Sequence, residues 1–91
     1  MIIVIQKEKE QESIEILIDE KGLEFLRRIF NKEWYEPKLS KAGLYDLDHE
    51  HLSSNDWGGD ELSPEFTSHG ADKIHSLKIV YLGKQAEKIL S

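Results

Sequence analysis

The chain has 91 residues, with 18 aspartates and glutamates against 12 lysines and arginines, for a formal net charge of -6. That length fits one small domain with a modest core, and the acidic balance argues against nucleic acid or an anionic membrane as the main partner, because both reward basic patches. Cysteine is absent, which excludes disulfide frameworks and thiolate metal sites.

Residues 2 to 5, Ile-Ile-Val-Ile, form an apolar run too short for a signal peptide or a membrane span, so the expected location is the cytoplasm. The β-branched stretch from Ile2 to Lys7 predicts a first strand, and Lys9 to Glu12 a polar link. From Ser13 to Ile18 the residues alternate, with Ile14, Ile16 and Ile18 on one face and Ser13 and Glu15 on the other. The two segments predict an antiparallel hairpin. Asp19 or Glu20 is suited to begin a helix, with acids near its positive end. Leu23, Leu26 and Phe30 follow helical spacing, Phe25 and Ile29 widen the stripe, and Arg27, Arg28 and Lys32 gather toward the C-terminal end. The predicted helix runs from about Glu20 to Lys32 or Glu33, and Pro37 stops it continuing past Tyr35. Trp34-Tyr35 is expected to close the core at that end.

Glu36 to Gly43 predicts a loop. A third strand is expected from Leu44 to Leu52, with Leu44, Asp46, Asp48 and Glu50 on one face and Tyr45, Leu47, His49 and His51 on the other. Ser53 to Gly70 predicts a loop, with a short turn begun by Ser63-Pro64-Glu65. The fourth strand is predicted over Ile74 to Leu82, ended by Gly83. Residues 84–91 then form a tail, either one helical turn or frayed. The expected fold is α+β, in the order β-β-α-β-β: a small antiparallel sheet of about four strands with one helix on one face, forming a single domain over 1–83.

The charge is not evenly spread. Between Ala42 and Asp72 there is no lysine or arginine, yet eight carboxylates occur: Asp46, Asp48, Glu50, Asp56, Asp60, Glu61, Glu65 and Asp72. Concentrated like charge costs stability unless a partner benefits, so this window is the expected contact with something basic. His49-x-His51 would place two imidazoles on one strand face, a workable pair of zinc ligands with His69 or His75 as a third, although it matches no recognised zinc signature. No nucleophile with a positioned base can be assembled from the serines and carboxylates, so no catalytic residue is assigned and no cofactor is expected. Trp57-Gly58-Gly59-Asp60-Glu61-Leu62 is the strongest local signal. Paired glycines permit a positive φ or a close backbone approach. Trp57 beside them either plugs the core, as the average burial of tryptophan favours, or stands out as an interface anchor.

His49-x-His51-Leu52, Trp57-Gly58-Gly59-x-Glu61-Leu62-Ser63 and His75-Ser76-Leu77-Lys78-Ile79 together resemble a family of predicted immunity proteins, immunity protein 32, from bacterial polymorphic toxin systems. The isoleucine-rich front and Gly22-Leu23-Glu24-Phe25-Leu26 are similar too, so the resemblance spans about Ile2 to Leu82. It implies a non-enzymatic antidote, made in the cytoplasm, that binds and blocks a cognate toxin. Trp57, Gly58, Gly59, Glu61 and Leu62 carry over as motif positions. The interval from Gly43 to Leu52 is longer and more acidic than the motif requires, and the tail beyond Gly83 has no counterpart.

The expected function is therefore toxin neutralisation through an acidic, Trp-containing surface made of Trp57, Gly58, Gly59, Asp46, Asp48, Glu50, Asp56, Asp60 and Glu61. A nuclease toxin fits this surface well, since its own active face must be basic to hold phosphates. Two alternatives stand beside it: a metal-binding protein or metal-dependent enzyme using His49 and His51, and a structural module that self-associates through an exposed sheet edge or the open sheet face.

Overall fold

The computed structural model describes residues 1–38, 47–66 and 70–90. The hairpin forms as its alternation predicts. Strand β1 (Ile3–Glu8) pairs antiparallel with β2 (Ile14–Ile18), placing Ile3 opposite Ile18, Ile5 opposite Ile16 and Lys7 opposite Ile14. Helix α1 (Glu20–Phe30) follows at once. Asp19 is its N-cap, and one carboxylate oxygen accepts from the Ile2 amide at 2.9 Å and the Gly22 amide at 2.7 Å. The same side chain thus caps the helix and ties its start to the first strand. Those two amides, Ile2 foremost, hold the Asp19 carboxyl below the usual aspartate range.

The buried face of α1 is rotated from the one expected. Gly22 and Ile29 are buried, and Phe25 and Leu26 pack on the core, whereas Leu23 is 39% and Phe30 61% exposed. The helix also stops short of Lys32, because the Lys32 amide reaches Ile29 O rather than continuing the regular ladder.

Among the described residues there are three further strands: β3 (His49–Ser53), β4 (Ala71–Ile74) and β5 (Ser76–Val80). The fold is α+β, as expected, but the strands divide between two antiparallel sheets: three strands in the order β2-β1-β4, and two as β3-β5. The predicted strand from Ile74 to Leu82 begins earlier, at Ala71, and ends earlier, at Val80, as two pieces joined at His75. Ile74 lies opposite Ile5 of β1, while Ser76 lies opposite Ser53 of β3. At the joint the His75 carbonyl accepts the Ser54 amide at 2.9 Å, and Ser54 Oγ lies 3.1 Å from His75 Nδ1. Strict alternation would put Ile74 and Leu77 on opposite faces, yet both pack on the same core with Ile79. Changing sheets at His75 shifts the phase of the pleat. The third strand starts at His49 rather than Leu44, and residues 39–46, including Asp46, lie outside the described residues.

Ile3, Ile5, Ile29, Leu52 and Leu62 form the buried core, so it draws on β1, α1, β3 and the loop after β3. Trp34 and Tyr81 stack with ring centroids 5.7 Å apart and close the far end, as expected of Trp34, whereas Tyr35, expected to help close it, is 63% exposed. Glu36 braces that end by accepting the Lys84 amide at 2.7 Å and the Tyr81 hydroxyl at 2.9 Å. After Gly83 the tail makes a 3-10 turn and a short helix, α2 (Ala86–Leu90). Among the described residues, no helix is long and apolar enough to cross a membrane.

Candidate functional site

The Trp-Gly-Gly segment is built on the end of β3. Ser54 opens a short 3-10 turn over Asn55–Trp57, and its carbonyl accepts the Trp57 amide at 2.9 Å and the Gly59 amide at 3.0 Å. Gly58 ends the turn in the left-handed region at φ 86°, a conformation that an L side chain makes costly. Gly59 is required for a different reason. A Cβ there would lie 2.8 Å from the Ser53 carbonyl oxygen and would overlap the Ser53 hydroxyl and the Glu61 carboxylate. That carbonyl also accepts the amides of Glu61 and Leu62, each at 3.1 Å. Leu62 then enters the core at 4% exposure and pins the loop from below.

This bracing leaves Trp57 outside. It is 67% exposed, so it does not plug the core, and the indole is displayed by a turn whose own backbone is satisfied. Glu61 has the opposite fate. Its Oε2 accepts the Ser53 amide at 3.2 Å and the Asp60 amide at 3.0 Å, so it clamps the turn from within. Burial pushes its carboxyl upward, but the amides of Ser53, Glu61 itself and Asp60 outweigh this and leave it below the usual glutamate range.

The described acids of this window do not form one cluster. Asp48 and Glu50 converge on Lys32, at 3.3 Å and 2.9 Å, and Asp48 also accepts the Tyr35 amide at 2.9 Å. The Tyr35 amide, opposed by burial and helped by Lys32, holds Asp48 below the usual range. Lys32 in turn lies 4.0 Å from the centre of the Trp34 ring, so this cluster joins the end of α1 to β3. Asp72 lies directly across from Lys7 on the neighbouring strand, a placement that favours opposite charges.

Asp56, Asp60 and Glu65 are exposed. All three line an open depression of about 520 Å³, together with Asn55, Lys73 and His75. Asp56 and Asp60 flank the Trp-Gly-Gly tripeptide, and Glu65 comes from the predicted Ser63-Pro64-Glu65 turn, which the Phe66 amide closes on Ser63 O at 3.1 Å. Glu65 belongs to the acidic window but not to the narrower surface expected around Trp57. Its signal was the proline-led turn, which returns the chain toward Asp56 despite the separation in sequence. Among the side chains that line it, three carboxylates against one lysine suit this depression to a guanidinium or ammonium group.

His49 and His51 share a strand face, with ring centroids 4.8 Å apart and planes at 87°, and His49 Nδ1 lies 2.9 Å from Leu47 O. His75 is at the other end of the β3–β5 pairing, and His69 lies outside the described residues. Among the described residues, no group of three histidine, aspartate or glutamate side chains is placed to hold a metal ion. The Ser54–His75 pair has the contact distance of a nucleophile and its base, but Ser54 is fully buried and out of reach of a substrate. No family model, curated protein or solved structure matches this chain.

Proposed function

We propose that the chain is a non-enzymatic immunity protein that binds and neutralises a cognate bacterial toxin domain, with Trp57 as the anchor and Asp56, Asp60 and Glu65 as the acidic rim. One observation carries the reading: a large indole, 67% exposed, stands on a hydrogen-bonded turn and is flanked in sequence by two of the acids that line the depression. Aromatic anchors ringed by polar residues are where interface energy concentrates. A basic nuclease domain fits as partner, its arginines or lysines entering the depression they would otherwise turn toward phosphate. The chain's sequence resemblance to immunity protein 32 points the same way. Glu61 supports the turn from within, whereas Asp48 and Glu50 are engaged with Lys32 near the start of β3.

The test asks first whether a neighbouring gene encodes a toxin domain, and then measures binding kinetics with that domain across a salt series and rescue of cells that express it. The triple variant Asp56→Asn, Asp60→Asn, Glu65→Gln should associate more slowly at low salt and lose most of its salt dependence. Trp57→Ala should mainly speed dissociation, by roughly 30-fold for an anchor of about 2 kcal/mol. Equal association rates for parent and triple variant at low salt would sink the electrostatic part, and failure to bind the neighbouring toxin would sink the whole reading.

A further inference from the structure

Among the described residues β2 is the outer strand of the three-stranded sheet, and its outer edge can be traced group by group. Ile18 lies opposite Ile3, yet the Ile3 carbonyl accepts the Ser63 amide at 2.8 Å and the Ile3 amide is directed at Ser63 Oγ at 3.4 Å. The backbone groups of Ile3 therefore point away from β2. One step along, the Asp19 amide does bond Ile2 O, at 3.2 Å. Antiparallel pairs alternate between bonded and unbonded residues, so Ile14, Ile16 and Ile18 turn their amides and carbonyls outward, toward the open edge. Their side chains are 62%, 53% and 38% exposed.

Such an edge normally carries a lysine, a proline or a bulge to prevent pairing. β4 has Asp72 and Lys73, β3 has Glu50 between two histidines, and β5 has Lys78. β2 has no lysine, proline or bulge: its register is continuous, and its one charge, Glu15, belongs to a residue whose backbone faces β1 opposite Gln6. The sequence Ile14-Glu15-Ile16-Leu17-Ile18 is also nearly the same read in either direction, as a two-fold contact requires.

We propose that the chain forms a two-fold dimer in which β2 pairs antiparallel with β2 of a second copy, centred on Ile16. Ile16 then meets Ile16, Ile14 meets Ile18, and Glu15 meets Leu17, so no like charges are directly opposed. The outward backbone groups of all three isoleucines fall in bonded positions, and the two small sheets become one. Pairing is confined to these five residues, because Asp19 turns the chain into α1. The interface uses none of the residues assigned to toxin binding and stands or falls separately from that reading.

Sedimentation of the full chain over a concentration series should show a species of twice the chain mass. Ile16→Lys, which opposes two cations at the two-fold axis, should weaken the dimer at least ~10-fold. The chain has no cysteine, so single cysteines report the register cleanly. Ile16→Cys should cross-link to itself on mild oxidation, since bonded antiparallel pairs have Cα atoms about 5.5 Å apart, within disulfide range. Ile14→Cys alone should not, whereas Ile14→Cys mixed with Ile18→Cys should. A monomer at every concentration overturns the proposal, even if a toxin strand then occupies the edge. So does cross-linking of Ile14→Cys alone as readily as Ile16→Cys. The cysteine variants keep the test decisive if Ile16→Lys fails to fold.

Discussion

Gly58 and Gly59 are adjacent, yet different physical causes exclude a side chain at each, and alanine at each position separates them. At Gly58 the cost is conformational alone: φ is 86° and nothing lies within 4 Å of an added Cβ. A left-handed alanine costs about 1–2 kcal/mol, so Gly58→Ala should lower stability by about 1 kcal/mol. At Gly59 the added Cβ meets the Ser53 carbonyl at 2.8 Å. That oxygen cannot retreat without lengthening its bonds to the amides of Glu61 and Leu62. Overpacking costs about 1–3 kcal/mol, and each strained hydrogen bond adds about 0.5–1.5 kcal/mol, so Gly59→Ala should cost about 3 kcal/mol. For a domain of this size the melting temperature shifts by about 4–8 °C per kcal/mol, giving drops of about 4–8 °C and about 12–24 °C. Urea unfolding followed by circular dichroism measures both. Ser53→Ala in the Gly59→Ala background should recover only part of the loss, because the hydroxyl goes and the carbonyl stays. If Gly58→Ala proves as costly as Gly59→Ala, the close approach at Gly59 is not what holds the turn.

Two further expectations follow from the same geometry. In Trp34→Phe, the remaining Trp57 should be quenched by acrylamide almost as freely as an exposed indole, and in Trp57→Phe the remaining Trp34 should be shielded; Trp57→Ala should change stability by no more than about 0.5 kcal/mol, and strong protection of Trp57 would contradict its display. Asp19, Glu36, Asp48 and Glu61 all have carboxyls held below their ordinary range, so their contribution is complete above the ordinary values of about 3.9 and about 4.3 and is lost as pH falls through the depressed ones. Glu8, raised by its hydrogen bond to and the charge of Glu15, acts with the opposite sign. Melting temperature should fall on acidification below about pH 4, with a shallower slope in Glu61→Gln; an unchanged slope in that variant would show that Glu61 is not a clamp.

The first third of the chain was legible because local rules govern it. Alternation in Ile14, Ile16 and Ile18, and the acid at Asp19, placed the hairpin and the helix start within a residue or two. The rotated face of α1 was not legible: Leu23 and Phe30 satisfy helical spacing as well as Phe25 and Ile29 do, and only the position of β1 decides between them. Alternation likewise runs unbroken through His75, so nothing in residues 74–82 marks the change of sheet. At the site, the Trp-Gly-Gly tripeptide was the right place to look, but which way Trp57 faces depends on the bonds of Ser53 and Ser54. The acidic window misled in part because charge density in sequence ignores Lys32, which comes from outside the window and takes up Asp48 and Glu50.

The central place of β1 bears on how the molecule is made. One flank of β1 is filled by the very next strand, but the other waits for residues 71–74, which leave the ribosome long after the hairpin. Until then the nascent hairpin presents isoleucine-rich backbone on both sides, with a long loop still to close. Products truncated before Ala71 should therefore be the aggregating species in a cell that makes this protein, and the full-length chain should be rescued from that fate as β4 arrives.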